Sequence, residues 1–265
     1  MKALDKKYTW VELCDRVIRH LGVKKSERVL FTKWFMKREG IGYLFDPFLI
    51  WRCFFIWKEL KKGLDHFIIL SGKEGYGKST LAFQIASWID PSFNVSMICY
   101  DAKSFVNIML ERANSNKLSP EGLKALVLDE GTELLSRDHQ NVTNKVLIKT
   151  FFIQRALKFL VLINCPNFHL IDSVVRFHRC RTLIEVTQRA HYKGITGKAI
   201  KIISDVGMKT KSISGVKLPI GTFWHGTFKK DFPKTIIRSD YELHKHDGIR
   251  RTLKQLQGEL GRKIP

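Results

Sequence analysis

Residues 72–79 read Gly-Lys-Glu-Gly-Tyr-Gly-Lys-Ser and fit the spacing G-x-x-x-x-G-K-[ST] in full. Each residue type there has a physical task. Gly72, Gly75 and Gly77 let the backbone take positive φ and wrap closely, so that successive amides converge on phosphate oxygens. Lys73, Glu74 and Tyr76 fill the loop between them. Lys78 is placed to reach the β- and γ-phosphates of a triphosphate, and the Ser79 hydroxyl to complete a Mg²⁺ shell beside Thr80. An apolar run, Phe67–Leu70, precedes the loop, and a helical pattern, Lys78–Ile89, follows it. A loop opening into a helix adds the N-terminal amides and the helix dipole to the same anion site. The expected ligands are therefore ATP and Mg²⁺. A glycine-rich strand–helix turn without a ligand is the plainer reading.

A metal–nucleotide site needs a carboxylate opposite the loop. Ala125–Leu128 is an apolar strand candidate that ends in Asp129 and Glu130, and Asp129 lies 51 residues after Lys78. Asp129 is the expected second metal-site residue, through a bound water, and Glu130 the group that orients or deprotonates an attacking water. Phe159–Ile163 is a further apolar strand, ending at Asn164-Cys165-Pro166-Asn167. Asn164 could sense a terminal phosphate there, although Asn before a Cys-Pro turn is also ordinary turn chemistry. Charge developing on a transferred phosphoryl group calls for an arginine. The candidates are Arg155, on the helix before that strand, and Arg176, Arg179 and Arg181 after it.

Taken together, the phosphate loop, the strand ending in Asp129-Glu130, and one candidate strand between them resemble the additional-strand, catalytic-glutamate division of P-loop NTPases, with RecA-like, AAA+ and HerA/FtsK-like motors. In those terms Gly72–Thr80 is the Walker A element and Asp129-Glu130 the Walker B element. The stretch 155–186, a strand, a polar residue, a proline, a short helix and a strand, resembles HerA/FtsK-like DNA-pumping ATPases. It also resembles the packaging ATPases of viruses and the assembly ATPases of filamentous phage. Asn stands where those families commonly have Gln. The resemblance implies an ATPase, a homo-oligomeric ring, and an arginine donated by a neighbouring subunit.

The elements that must position these residues follow from periodicity. Residues 1–65 read as helical (Trp10–Leu21, Glu27–Lys37, Pro47–Leu60), either a small domain or an embrace of the core. Residues 66–190 alternate short strands (Phe67–Leu70, Val95–Cys99, Ala125–Leu128, Phe159–Ile163, Thr182–Val186) with helices (Lys78–Ile89, Ala102–Asn114, Leu134–Leu157), the signature of parallel βαβ units. Residues 191–265 read as β-rich (Ala199–Ile203, Thr222–Phe228) and then helical over Tyr241–Gly261. The expected fold is thus α/β: a three-layer P-loop NTPase with a mainly parallel sheet in RecA/FtsK-like order, a helical N-terminal segment and a β-rich, basic C-terminal region.

The chain has a net charge of +21 over 265 residues, and a surface that basic usually meets a polyanion, most often nucleic acid. Residues 191–265 hold 16 basic against 6 acidic residues, residues 66–190 hold 15 against 11. Lys193, Lys198, Lys201, Lys209, Lys211, Lys217, Lys229, Lys230 and Lys234, with Tyr192, Phe223, Trp224 and Phe228, read as a DNA backbone-tracking and base-stacking surface or as a solvated lysine-rich region. Mostly lysine, without patterned Arg or Asn, suggests contact without sequence reading. His244, His246 and Asp247 match no firm metal spacing and read as a polar loop. Five scattered cysteines without a CxxC pair suggest reduced thiols and an intracellular, cytoplasmic setting. Met1–Lys7 is charged and no apolar run follows, which disfavours a signal peptide. Phe48–Trp57, interrupted by Arg52, is too short to span a bilayer and reads as a buried helix, a membrane-surface helix or a partner-docking helix.

These readings give three functions to separate. The first is an ATPase that moves or packages DNA. The second is an AAA+-like replication initiator or helicase loader. The third is a membrane-associated assembly ATPase.

Overall fold

The computed structural model describes residues 9–42, 46–114, 123–129, 142–196 and 223–263. Seven strands form one sheet: β1 (His66–Ser71), β2 (Ile98–Cys99), β3 (Ala125–Leu128), β4 (Leu160–Cys165), β5 (Thr182–Thr187), β6 (His191–Thr196) and β7 (Phe223–Thr227), in the order β2-β3-β4-β1-β5-β6-β7. The first five in that row run parallel, and β6 and β7 extend the sheet antiparallel. The central strands are apolar throughout because both faces are covered. On β1, for example, Phe67 and Ile69 enter one core while Ile68 and Leu70 enter the other.

On one face lie α1 (Trp10–Leu21), α2 (Lys25–Met36), α3 (Pro47–Lys61) and α4 (Lys78–Ile89), and on the other α5 (Ala102–Asn114), α6 (Val142–Leu157) and α7 (Ser173–His178). The last helix, α8 (Arg238–Lys263), returns to the first face at Tyr241. This makes three layers, as helices on both faces of a parallel sheet require.

The N-terminal helices embrace α4 and share one core with it. Trp34, Phe35 and Trp88 pack with ring centroids 5.6–5.7 Å apart. Arg38, fully buried, donates to the carbonyls of Trp88 (2.8 Å) and Ile89 (3.3 Å) at the end of α4, and of Trp34 (2.8 Å). A guanidinium is well suited to the unpaired carbonyls and negative dipole end of a helix. The helix that carries the phosphate loop is therefore held at its far end by this layer. Asp46 caps α3 through Phe48 N (2.9 Å) and Leu49 N (3.2 Å), with Pro47 at the first helical position. Its other oxygen accepts from the Tyr192 hydroxyl and from Thr227 N (3.0 Å), tying α3 to β6 and β7. The apolar run 48–57 is this α3. Leu49, Ile50, Cys53, Phe54 and Ile56 are buried in the shared core, and among the described residues no helix is long and apolar enough to cross a membrane.

Two expectations are corrected. Of Val95–Cys99 only Ile98–Cys99 is strand. Val95–Met97 forms a 3-10 turn because the Asn94 side chain accepts from Ser96 N at 3.0 Å, and such local bonds compete with the ladder. Also, the strand that lies between β1 and β3 is β4, from later in the chain, whereas β2, which falls between them in sequence, goes to the sheet edge. The expected strand Ala199–Ile203 lies outside the described residues. The third helix of the core is described over Val142–Leu157, and its expected beginning at Leu134 lies outside them.

Candidate nucleotide site

All five parallel strands point their C-terminal ends to one side, where ligands of open α/β sheets bind. The register brings Leu70 beside Asn164, Ser71 beside Cys165, and Leu128 beside Ile163. The phosphate loop, Asn164 and Asp129 therefore stand in one row.

The loop itself has the backbone its glycines allow, with φ of +143° at Gly72, +76° at Gly75 and +96° at Gly77. A Cβ on Gly72 would overlap the carbonyl oxygen of Val186 on β5, so only glycine fits there. Gly77 is the N-cap of α4, with no capping side chain and no acid in the first turn. The first-turn amides, which lack intrahelical partners in any helix, are left for an anion. Lys78 Nζ donates to Gly72 O (2.7 Å) and Lys73 O (3.1 Å), which folds the ammonium over the loop. Lys73, Glu74 and Gly75 are exposed, and Tyr76 packs on the core edge.

Asp129 is 1% exposed and is the hub of the site. Its Oδ1 accepts from Ser79 Oγ at 2.8 Å and from Asn164 Nδ2 at 2.7 Å. Its amide donates to Cys99 O at 2.8 Å, which fixes the turn after β3. Asn164 is 2% exposed, and its Oδ1 has no partner among the described residues. A buried acceptor left open in this way marks a place where a ligand or a water belongs.

This is the P-loop NTPase fold, in its added-strand form: the strand order β5-β1-β4-β3-β2 sets one strand between the loop strand and the strand carrying Asp129.

No protein-family model matches the chain, and no curated protein matches its sequence. Among solved structures it is similar to the N-terminal domain of zonular occludens toxin from Neisseria meningitidis, at 15% identity over 54% of this chain and 91% of that one, with a TM-score of 0.35. It is also similar to the genome packaging NTPase B204 of Sulfolobus turreted icosahedral virus 2, solved with ATP-gammaS (10% identity, 51% and 93% covered, TM-score 0.37). A third similar structure is the cytoplasmic domain of the Type VII secretion ATPase EccC of Thermomonospora curvata (11% identity, 51% of this chain and 23% of that one, TM-score 0.34). The strand order and the loop carry the P-loop NTPase assignment, not these loose overlays.

The other expected site residues fall elsewhere. Glu130 lies outside the described residues, as does the Arg155 side chain. Arg179 and Arg181 pair with Asp65, at 2.5 and 3.4 Å, before β1. That is the N-terminal end of the parallel strands, opposite the phosphate loop. Arg176 is buried and donates to Ile171 O at 2.9 Å. None of the three lines the cavity in front of the loop. The stacking surface is corrected too: Tyr192, Trp224 and Phe228 are buried in the core beneath β6 and β7 and present no ring to a base. Lys193 is exposed on β6, and Lys198, Lys201, Lys209, Lys211, Lys217 and the Phe223 side chain lie outside the described residues. His244, His246 and Asp247 lie within α8 rather than a loop, with His244 Nε2 donating to Ile98 O at 2.8 Å. Among the described residues no cluster of metal-ligating side chains is found, a pattern distinct from a Mg²⁺ held by one carboxylate, one hydroxyl and phosphates.

Sequence reasoning missed one whole wall of the site. A cavity of about 540 Å³ in front of the loop is lined by Lys78, Ser79, Asp129 and Asn164, but also by Lys230, Phe232, Arg238, Tyr241 and Lys245 of the chain's own C-terminal segment. No local pattern marks these residues. Tyr241 meets Asp129 across 112 positions.

Proposed function

We propose that the chain is an ATPase that couples ATP turnover to the movement or packaging of DNA, in a homo-oligomeric ring. The observation that carries the hydrolytic half is the Ser79–Asp129–Asn164 cluster set against the loop Gly72–Thr80. Its residues fit Mg²⁺-ATP: a hydroxyl and a buried carboxylate for the metal, an ammonium and helix amides for phosphate, and an open amide oxygen that can accept from a water. Bound Mg²⁺ would supply charge neutralisation and orientation of the phosphates. Lys78 would leave the loop carbonyls for the β- and γ-oxygens, Ser79 would turn its oxygen to the metal, and Asp129 would hold a metal-bound water. Asn164 would fix the terminal phosphate or the attacking water, and Glu130 would take that water's proton.

The nucleic-acid half rests on the net charge of +21 and its concentration in residues 191–265. The antiparallel extension by β6 and β7, where an AAA+ initiator or loader would carry an all-helical lid, favours the translocase reading over that alternative. Burial of Leu49, Ile50, Cys53, Phe54 and Ile56 in the core supports a packing role for the 48–57 helix over the membrane-associated alternative.

Steady-state phosphate release, with and without duplex DNA, alongside solution mass in ATP, tests the proposal. DNA is expected to raise the rate severalfold in an oligomer. Equal rates from a stable monomer would refute the motor reading while leaving the nucleotide site intact.

A further inference from the structure

The second wall of the cavity comes from one stripe of α8. Arg238, Tyr241, Glu242 and Lys245 all line it, and spacings of three, four and seven put them on one helix face. Three contacts fix that face over the site. The Tyr241 hydroxyl donates to Asp129 Oδ2 at 3.1 Å, while its ring meets Phe83 and Phe232 edge-on at 5.1 and 5.2 Å. His244 is bonded to Ile98 O. Gly248 lies so near Tyr100 that a Cβ would stand 2.5 Å from the ring.

The segment before α8 is pinned as firmly. Gln84 of α4 donates to Lys229 O (2.6 Å) and Asp231 O (2.7 Å), and Ser87 Oγ lies 2.8 Å from Thr235 Oγ1. Lys230 Nζ reaches Gly75 O at 3.5 Å. The exposed Arg238 places its guanidinium 5.0 Å above the Phe232 ring at the cavity wall. The cavity is thus lined by four cations, Lys78, Lys230, Arg238 and Lys245, against three carboxylates, Glu74, Asp129 and Glu242. Arg176, Arg179 and Arg181 are committed elsewhere.

We propose that Arg238 and Lys245 bind the phosphate chain of the nucleotide in cis, with Tyr241 between them as the positioning residue for Asp129. The chain then carries its own arginine in the nucleotide site instead of borrowing one from a neighbouring subunit. Seven residues of helix rise, about 10 Å, separate the two cations and bracket Tyr241. A guanidinium gives phosphate a bidentate, permanently charged partner. The inference rests on the nucleotide reading of the site and adds to it the origin of the second set of cations.

Calorimetry on the full chain with Mg-ATPγS and Mg-ADP tests it. Arg238→Ala is expected to weaken ATPγS binding about tenfold, and the double variant with Lys245→Ala about a hundredfold, with thermal unfolding unchanged because Arg238 is exposed. Tyr241→Phe should keep metal-free nucleotide affinity and raise the Mg²⁺ concentration needed for half-maximal binding about fivefold. Mixing Lys78→Ala with Arg238→Ala chains should not restore turnover. Wild-type affinity in the double variant, or recovered turnover on mixing, would overturn the cis assignment, as would loss of DNA binding with nucleotide affinity intact. Failure of the wild-type chain to bind either nucleotide would instead bring down the nucleotide reading itself.

Discussion

The two walls of the nucleotide cavity are built by opposite means. Residues 72–80 are a local device: nine consecutive positions set the loop's dihedral angles, the helix start and the donor array. Residues 228–248 are a tertiary device. Nothing in their own sequence says they face phosphate, and they reach the site because Gln84 holds their backbone, Phe83 and Phe232 seat Tyr241, and a glycine lets α8 lie against Tyr100. The first wall should tolerate changes around it and fail when its own residues change. The second should fail when its supports change.

The largest effect is expected from Lys78→Ala, which removes the ammonium folded over the loop. Mg-ATP binding by calorimetry should fall by about a hundredfold or more while the melting temperature stays within a few degrees. Next is Gln84→Leu, a substitution of similar volume that leaves the carbonyls of Lys229 and Asp231 without their donor. It should cost about 2 kcal/mol in denaturant unfolding and also weaken nucleotide binding, although Gln84 is fully buried on α4 and does not line the cavity. If affinity were unchanged, the C-terminal wall would be independent of its support. The smallest effect, and the most discriminating by sign, is Gly248→Ala. In a free helix it should stabilise by about 1 kcal/mol. With α8 docked on Tyr100 it should destabilise by a similar amount, read as a lowered denaturant midpoint.

The same contrast explains what was legible in the sequence. The phosphate loop, β1, α4, β3 with Asp129, and β4 with Asn164 follow from local spacing and period, because apolar strands covered on both faces and helices with clear caps announce themselves. The place of β4 between β1 and β3 is a matter of sheet order, which periodicity does not encode. The 95–97 turn was hidden because the apolar-looking pentapeptide 95–99 contains Ser96, whose amide bonds to the Asn94 side chain just before it. Arg179, Arg181, Tyr192, Trp224 and Phe228 were hard to place for one reason: composition reports charge and rings but not which of them meet a partner or the core. In this chain Asp65 and the core consume them. Lys230 reads from the sequence as part of a nucleic-acid surface, yet it lines the cavity, together with Arg238 and Lys245, which the sequence did not single out.

The buried guanidinium of Arg38 has a consequence at a distance. It clamps the last carbonyls of α4, a rod of 12 residues whose first residues are the floor of the phosphate loop about 18 Å away, and its guanidinium lies 4.6 Å over the ring of Trp34, which packs on Trp88 with centroids 5.7 Å apart. Any ligand that shifts or stiffens α4 will change the surroundings of those two rings, so the protein carries an intrinsic optical reporter of occupancy, readable as a change in emission without any attached dye.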